Sequence, residues 1–142
     1  MRALGVDPGE QHLGVAISDE GGLLARPLAT LGHTRRAEDA AQIVALAQQE
    51  GAGLIVLGYA LDGDGQPGPQ ARHSEKLALA LRELSELPVV LHDESFSSQE
   101  AAEYLRATGK TRRARRAQIH SAAAATLLQS YLDAHPPETP PG

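Results

Sequence analysis

The sequence predicts an α/β fold in which a five-stranded mixed sheet carries helices on both faces. Short apolar runs of strand length occupy the first 31 residues, as expected of a three-strand meander. Helical periodicity then alternates with two continuous apolar runs, residues 54–58 and 88–94, which are typical of buried parallel strands. The resulting order β-β-β-α-β-α-β-α-α adds two right-handed βαβ crossovers to the meander.

The first three strands are predicted from apolar runs and the turn residues between them. Residues 2–7 and 13–18 flank an Asp-Pro-Gly turn and are predicted to form a hairpin. Residues 21–31 begin with Gly-Gly and supply the third strand. Pro27 interrupts that strand, and because proline cannot donate a ladder hydrogen bond, we expect the strand at an edge of the sheet.

The first two helices are predicted from their periodicity. Small and apolar residues recur at helical spacing over residues 36–50, and Gly51 is expected to end that helix. A loop rich in Gly, Pro and Asp follows residues 54–58. Residues 70–87 then form a second amphipathic helix.

The C-terminal part of the chain is predicted to be helical up to a proline-rich tail. Ser97 and the glutamate three residues later form a capping box that opens a helix over residues 97–108. An Ala/Leu-rich helix over residues 117–134 completes one domain, residues 1–134. The tail, residues 135–142, is proline-rich and predicted to be disordered.

The composition favours a soluble cytoplasmic protein with no membrane partner. The 142 residues are the length of one domain, and 42% hydrophobic content is ordinary for a globular chain. There is no cysteine, which excludes thiolate nucleophiles and cysteine-based zinc sites and suits a reducing compartment. The N-terminus has no secretory h-region, and no apolar run approaches the length of a membrane span.

The positive charge of this acidic chain is concentrated in one segment. The formal net charge is −5, with 13 Lys and Arg against 18 Asp and Glu. The stretch KTRRARR is predicted to precede the last helix. It contains five of the 13 cations: Lys110, Arg112, Arg113, Arg115 and Arg116. A short Arg-rich segment offers bidentate phosphate contacts that read no sequence, so it predicts salt-dependent binding to nucleic acid. The alternative is a solvated charge run without a partner.

Asp7 admits two interpretations. Asp7-Pro8-Gly9 is the residue order that a type II turn favours, which would explain the aspartate by turn chemistry alone. Alternatively, Asp7 ends the first strand and delivers a carboxylate to the crevice outside the carboxyl ends of the parallel strands, where open α/β sheets bind ligands.

Glu94 favours the second interpretation of Asp7, because it ends the last predicted strand at the same edge. Carboxylates on nearby strands share a cation or one of them takes up a proton. Hard oxygen ligands suit Mg²⁺ or Mn²⁺, and two such ions can clamp the attacking and leaving oxygens of a phosphoryl transfer. An acid near a helix N-terminus is the alternative explanation for Glu94.

Four blocks of the sequence resemble the YqgF/RuvX family, in order and spacing, over residues 2–133. They are GVDPGEQHLGVAISD, VLGYALDGDGQPGPQA, PVVLHDESFSSQEA and IHSAAAATLLQSYLD. The family comprises RNase H-like nucleases known as pre-16S rRNA processing nucleases and as Holliday junction resolvases. The resemblance implies an RNase H-like fold, a divalent-metal nuclease site and a cytoplasmic role in maturing the 5′ end of 16S rRNA.

The resemblance also implies roles for individual residues. Asp7 matches the family's first-strand aspartate and Glu94 the glutamate of its Asp-Glu-Arg block, so both are expected to be metal ligands. Asp64-Gly65 matches the Asp-Gly of the loop after the fourth strand, and this loop is expected to face substrate.

Three positions depart from the family pattern. His12 stands where the family has Arg, Ser95 where it has the Arg of Asp-Glu-Arg, and His120 where it has the third acid on the last helix. His12 and Ser95 are therefore candidate phosphate-contacting positions that lack the usual guanidinium. A surface role is the alternative for His120, but the alignment favours ligation.

His120 in place of a carboxylate bears on the choice of metal. Imidazole can ligate Mn²⁺ and is a poor ligand for Mg²⁺. The sequence therefore predicts a metal site formed by Asp7, Glu94 and His120, with Mn²⁺ favoured over Mg²⁺. The other histidines lack metal-binding spacing and are interpreted as structural or surface residues: His33, His73, His92 and His135.

The leading hypothesis is a metal-dependent phosphodiesterase acting on pre-16S rRNA, and three alternatives stay open. The first is a resolvase of branched DNA, which normally needs two sites and so implies a homodimer. The second is a catalytically impaired nucleic-acid-binding factor, because three positions depart from the family pattern. The third is an actin-like ATP-binding lobe, whose first hairpin also begins with an Asp-x-Gly turn.

Overall fold

The computed structural model describes residues 1–9, 11–59, 68–93 and 112–136, with side chains in the last stretch from residue 119. Within these residues the chain forms five strands and three helices in the following order: β1 (Arg2–Pro8), β2 (His12–Ser18), β3 (Ala25–Gly32), α1 (Arg36–Gln49), β4 (Ala52–Tyr59), α2 (Pro69–Leu84), β5 (Val89–Asp93) and α3 (Arg112–Ala134).

The five strands form one mixed sheet in the order β3-β2-β1-β4-β5. The first three strands are an antiparallel meander, whereas β1, β4 and β5 run parallel. A meander with two parallel crossovers is the topology that the sequence predicts, so that prediction is confirmed. β3 is an edge strand as expected, and Pro27 lies beside a register shift in its pairing with β2.

Alternation along the strands divides the core between the two faces of the sheet. Leu4, Val6 and their counterparts on β2 and β4 point to one face, where α1 and α2 cover them. Ala3, Ala16 and Val56 point to the other face and pack against α3. Successive side chains of a strand point to opposite faces, so a run of continuous apolar residues is required wherever helices cover both. Helices on both faces are thereby confirmed.

The face under α3 is lined by small residues, which allows the helix to lie close to the sheet. A Cβ added at Gly5 of β1 would be 2.8 Å from Cβ of Leu128 and 3.3 Å from the carbonyl oxygen of Ala124. Alanines on both elements fill much of the rest of this interface. Because the packing is so close, the position of α3 along the sheet is closely specified.

Element ends differ from the prediction by a few residues, and two of these ends have clear causes. β3 begins at Ala25 rather than at residue 21, because the Asp19 carboxylate accepts hydrogen bonds from the amides of Leu23 (2.7 Å) and Leu24 (3.0 Å) and holds the preceding residues in a turn. α1 ends before Gly51, whose φ of 69° is a conformation that glycine adopts without strain. The predicted stop at Gly51 is confirmed.

One local prediction, the type II turn at Asp7-Pro8-Gly9, is wrong. That turn would require a positive φ at Gly9, but among the described residues only Gly22 and Gly51 have one. Pro8 still pairs with Leu13 as part of β1. The chain therefore reverses after Pro8.

The basic segment is also placed differently from the prediction. α3 begins at Arg112, so residues 112–116 are helical rather than a segment that precedes the last helix. The Ala/Leu pattern alone placed the start of this helix at residue 117. Arginine is a good helix former, so the helix extends back through the charged residues. The helix predicted over residues 97–108 and the tail beyond Pro136 lie outside the described residues.

Candidate active site

One edge of the sheet gathers the ends of most elements. Val6 of β1 pairs with Leu57 of β4, and Tyr59 of β4 pairs with Asp93 of β5, so the carboxyl ends of the three parallel strands lie side by side. β2 begins at this edge, because Asp7 pairs with Gly14 near the start of that strand. The ends of the three parallel strands therefore share the edge at which the sequence predicts the site.

Asp7 lies at this edge with its side chain on the α3 face. Its neighbours alternate, since Leu4 and Val6 are buried under α1 and α2 whereas Gly5 contacts Leu128 of α3. Asp7 is partly buried, unlike the fully buried Val6 before it. The end of β1 therefore places the Asp7 carboxylate on the side of the sheet that α3 covers.

Two hydrogen bonds hold the chain reversal after Pro8 in place. The Gly9 amide donates to the carbonyl oxygen of His12 at 2.8 Å. Gln70 Nε2 of α2 donates to the carbonyl oxygen of Pro8 at 2.6 Å. A Cβ at Gly9 would be 2.6 Å from the His12 oxygen, so this tight closure needs glycine. These contacts hold the end of β1 in place on both sides.

His120 of α3 reaches the same space and stacks on His12 of β2. The two imidazole centroids are 4.8 Å apart and the ring planes differ by 24°. The approach depends on Gly14, because a Cβ there would overlap the backbone carbonyl of His120 and be 3.1 Å from the amide nitrogen of Ser121. Asp7, His12 and His120 are thereby brought together from three elements.

The surroundings of His120 favour its neutral form by lowering its pKa. Burial is the largest cause that lowers the pKa of His120 below its ordinary value, and the neighbouring His12 lowers it further. The Asp7 carboxylate acts in the opposite direction and raises that pKa, which shows that it interacts with the imidazole. A neutral imidazole carries a lone pair and can ligate a metal, whereas an imidazolium cannot.

The donors present fit a divalent cation with mixed oxygen and nitrogen ligands. Asp7 offers a carboxylate oxygen and His120 an imidazole nitrogen, and both are ligand types for divalent cations. Within the described part of the chain no three His, Asp or Glu side chains form a metal-binding group. Glu94, the other ligand predicted from the sequence, lies outside the described residues.

The remaining predicted site residues are not located as side chains. Ser95, Asp64, Gly65 and Lys110 lie outside the described residues. The arginines at 112, 113, 115 and 116 lie on the first turns of α3, on the same helix as His120, and their side chains are not described. Their roles stay predictions.

Sequence reasoning missed a second group of polar residues at this edge, on the side of α1 and α2. A cavity of about 290 Å³ is lined by Gly9, Pro69, Gln70 and two histidines, His33 and His73. The interpretation of these histidines as surface or structural residues overlooked that β3 ends, and α2 begins, at the edge where β1 ends. The predicted positions of these two elements could therefore have indicated that the histidines lie near Asp7.

No helix in the described residues is long and apolar enough to span a bilayer. The described helices each pack one face on the sheet.

Comparison with protein families and curated proteins identifies relatives along nearly the whole chain. The RuvX family model, described as Holliday junction resolvase, matches residues 1–134. A protein of Geobacillus kaustophilus (strain HTA426) is 44% identical over 135 residues, which are 94% of this chain and 98% of the relative. One of Anaeromyxobacter dehalogenans (strain 2CP-1) is 40% identical over 137 residues, covering 96% and 100%. Both carry the name "Putative pre-16S rRNA nuclease".

Solved structures share the fold at low sequence identity. T. thermophilus RuvC, in complex with a Holliday junction substrate, matches with a TM-score of 0.57 at 18% identity, covering 94% of both chains. The Fowlpox virus resolvase, in complex with Holliday junction DNA, matches with a TM-score of 0.60 at 12% identity, covering 94% of this chain and 98% of the resolvase. These likenesses confirm the RNase H-like fold class.

Proposed function

Because the chain belongs to the RuvX family, we propose that it is a divalent-metal-dependent nuclease that processes the 5′ end of pre-16S rRNA. The observation that carries the proposal is the meeting of Asp7, His12 and His120 at the carboxyl edge of the sheet. The names of the 44% and 40% identical relatives support pre-16S rRNA as substrate.

The proposed metal ligands are Asp7, Glu94 and His120. When bound, divalent ions would activate a water and stabilise charge on the phosphate oxygens during hydrolysis of the phosphodiester. An imidazole in the ligand set favours Mn²⁺ over Mg²⁺, because Mg²⁺ prefers oxygen donors throughout.

The described residues supply the rigid placement that such a site requires. Asp7 is anchored by the strand pairing of β1 and by the reversal that Gln70 and Gly9 close. His120 is held by the stacking on His12 and by the close contact of its backbone with Gly14. Groups on packed strands and helices are held more precisely than groups on loops, and precise placement lowers the barrier to reaction.

Phosphate binding is assigned to residues around the ligands. His12 is exposed beside His120 and can donate a ring N–H to a phosphate oxygen. We assign the same function to Ser95 and to the basic segment, which comprises Lys110, Arg112, Arg113, Arg115 and Arg116. Asp64-Gly65 is assigned to a loop that faces the substrate. Arginine forks match phosphate geometry and read no base, which suits a substrate recognised by its shape.

Branched DNA is the second candidate substrate, because the family model that matches is described as Holliday junction resolvase. Resolution of a four-way junction normally needs two sites, so this function would require a homodimer. The absence of cysteine suits a reducing compartment such as the cytoplasm.

One parallel cleavage experiment separates these functions. The purified protein and the Asp7→Asn variant are incubated with a pre-16S 5′-leader RNA, an unstructured RNA and a four-way DNA junction, each with Mn²⁺ and with Mg²⁺. Cleavage of the leader by the wild type alone supports the proposed function, and cleavage of the junction alone supports the resolvase. Binding by both proteins without cleavage by either would show a catalytically impaired binding factor.

A further inference from the structure

The cavity on the α1/α2 side of the sheet, at the edge where the parallel strands end, is lined by two imidazoles that are not among the proposed metal ligands. His33 follows the last residue of β3 and His73 lies in the first turns of α2, and both line a cavity of about 290 Å³. Their ring centroids are 5.6 Å apart in an edge-to-face arrangement, with an interplanar angle of 79°. Both residues are partly exposed, so a ligand in the cavity can reach them.

His33 is oriented by a buried carboxylate. Its Nδ1 is hydrogen-bonded to Oδ2 of Asp39 in α1, a side chain with no exposed surface. Oδ1 of Asp39 also accepts a hydrogen bond from the Thr34 amide at 3.1 Å, and the His33 amide donates to the Gln11 carbonyl at 2.9 Å. Nδ1 is thereby occupied, which leaves Nε2 of His33 for a ligand.

The charged groups that act on His73 include two cations and one carboxylate. Arg36 of α1 and Lys76 of α2 are close enough to His73 to lower its pKa, after burial and His33, whereas Asp39 raises it. Of the charged groups that act on this imidazole, the cations outnumber the single carboxylate, which is itself hydrogen-bonded to His33. The N-terminus of α2 at Pro69 adds the positive end of a helix dipole.

The cavity is close to Asp7, both in the sequence and in space. Gly9 lines the cavity and is two residues beyond Asp7, so the two positions are at most about 7 Å apart. The Asp7 side chain is on the α3 face and the cavity is on the α1/α2 side, so a nucleic-acid strand that crosses this edge of the sheet can reach both. The hydrogen bond from Gln70 to Pro8 joins the cavity wall directly to the strand that carries Asp7.

We propose that the cavity lined by His33, Gln70 and His73 binds a backbone phosphate of the nucleic-acid substrate, close along the strand to the phosphodiester that is cleaved at Asp7. The two imidazoles donate ring N–H groups to the phosphate oxygens, and Asp39 orients the His33 ring through its contact with Nδ1. The proposal rests on the proposed nuclease function for the identity of the substrate, but the site itself is defined by anion chemistry.

The first test uses inorganic phosphate and does not involve catalysis. The imidazole resonances of the protein without added metal are followed by NMR as phosphate is added, with chloride at equal ionic strength as control. We expect the resonances of His33 and His73 to shift with one common dissociation constant. Unshifted resonances of both histidines, or shifts produced by Zn²⁺ alone and not by phosphate, would overturn the proposal.

The second test measures binding of a fluorescent pre-16S 5′-leader RNA in the Asp7→Asn background, so that no cleavage occurs. His73→Ala and His33→Asn are each expected to weaken binding about three- to tenfold, the value of a hydrogen bond or two to phosphate. His135→Ala is the matched control, because its ring stacks on Tyr131 at the far end of α3. The asparagine at position 33 retains a donor toward Asp39 and so preserves folding.

The two tests distinguish failure of this proposal from failure of the proposed function. If the wild type cleaves no nucleic acid but phosphate still shifts both histidines, the anion site stands and the nuclease function fails. If the wild type cleaves the leader RNA and neither variant alters binding relative to His135→Ala, the nuclease function stands and the phosphate site is wrong.

Discussion

The backbone carbonyl of His120 in α3 lies directly over Gly14 in β2, where a Cβ would overlap it. This contact sets how closely the helix approaches the sheet, and therefore whether the His120 ring reaches His12 and Asp7. A glycine in a strand lowers its intrinsic stability, so its presence here is explained by this close approach.

Replacing Gly14 with alanine should displace α3 and disturb both stability and the geometry of the site. We expect Gly14→Ala to lower the free energy of unfolding by about 1–3 kcal/mol, as other small-to-large changes do in packed interfaces, and to reduce metal-dependent cleavage. Urea unfolding and the leader-RNA cleavage assay measure the two effects. Gly32→Ala is the matched control, since a Cβ at Gly32 meets nothing within 4 Å. Equal stability of the two variants would contradict the packing argument.

Removing the carboxylate of Asp7 should abolish cleavage without unfolding the protein. Asp7→Asn is nearly isosteric and keeps the pairing of β1. Loss of a residue that only supports a metal ligand lowers activity by up to about 100-fold. We therefore expect loss of a ligand itself to lower the cleavage rate by at least that factor. Asp133→Asn, an exposed change near the C-terminal end of α3, should leave the rate unaltered. Undiminished cleavage by Asp7→Asn would exclude Asp7 as a ligand.

His120 should determine the choice of metal. His120→Asp supplies a third oxygen ligand, and we expect it to raise activity with Mg²⁺ relative to Mn²⁺, because Mg²⁺ prefers oxygen donors. His120→Ala should lower the rate with both ions. Cleavage rates across a series of Mn²⁺ and Mg²⁺ concentrations measure this preference. If neither variant alters the rate or the preferred ion, His120 is not a ligand.

The arginines at the start of α3 should make substrate binding depend on salt. Each phosphate contact that is lost should reduce the slope of log K against log salt by about 0.7 for a single strand. We expect the combined replacement of Arg112, Arg113, Arg115 and Arg116 by Gln to flatten that slope strongly. Arg26→Gln is the single-charge control, since Arg26 lies on the edge strand β3, near the end of β2 that is remote from the site. A slope that the combined variant leaves unaltered would show a solvated charge run.

Stability should decrease as the pH falls below neutrality. Burial lowers the pKa of His73, His92 and His120 in the folded protein. The unfolded chain therefore binds more protons near the ordinary histidine pKa of about 6.5. Stability from these groups is fully present above that pH and is lost as the pH falls toward and through the lower folded pKa values. Asp19 and Glu38 also have lowered pKa values, but these carboxyls act only below about pH 4.5.

Urea midpoints one pH unit above and one below the ordinary histidine pKa measure this dependence, and a lower midpoint is expected at the lower pH. His92→Gln should reduce the difference between the two midpoints, because it removes one of the titrating groups while keeping a polar partner for Ser130. A midpoint that is equal or higher at the lower pH would refute the linkage.

The buried carboxylate of Asp39 should contribute substantially to stability. Asp39→Ala leaves His33 and the Thr34 amide without their acceptor, and hydrogen bonds to a charged group are worth about 1.5–3 kcal/mol. The neighbouring Glu38→Ala removes an exposed ion pair with Arg35 and should have a smaller effect. Urea unfolding compares the two, and equal losses would show that Asp39 is not a structural acceptor.

The order and type of the described elements followed from the sequence because they depend on near neighbours. The alternation and continuity of apolar residues along β1, β2 and β4, and the helical spacing in α1, are properties of short windows. Local chemistry also misled, since the Asp-Pro-Gly order predicted a type II turn that Gly9 does not form. The pairing of Pro8 with Leu13 and the contact of Gln70 with the Pro8 carbonyl replaced that preference.

The sequence by itself determined that Asp7 lies near the end of a strand, at the edge where the parallel strands end, because strand length and parallel topology place it there. Only the tertiary structure decided that His12 stacks on His120 and that His33 and His73 share a cavity. The members of each pair lie far apart in the chain, so no local pattern relates them. Their proximity is set by how closely α2 and α3 pack on the sheet, which at Gly14 depends on the absence of a single methyl group.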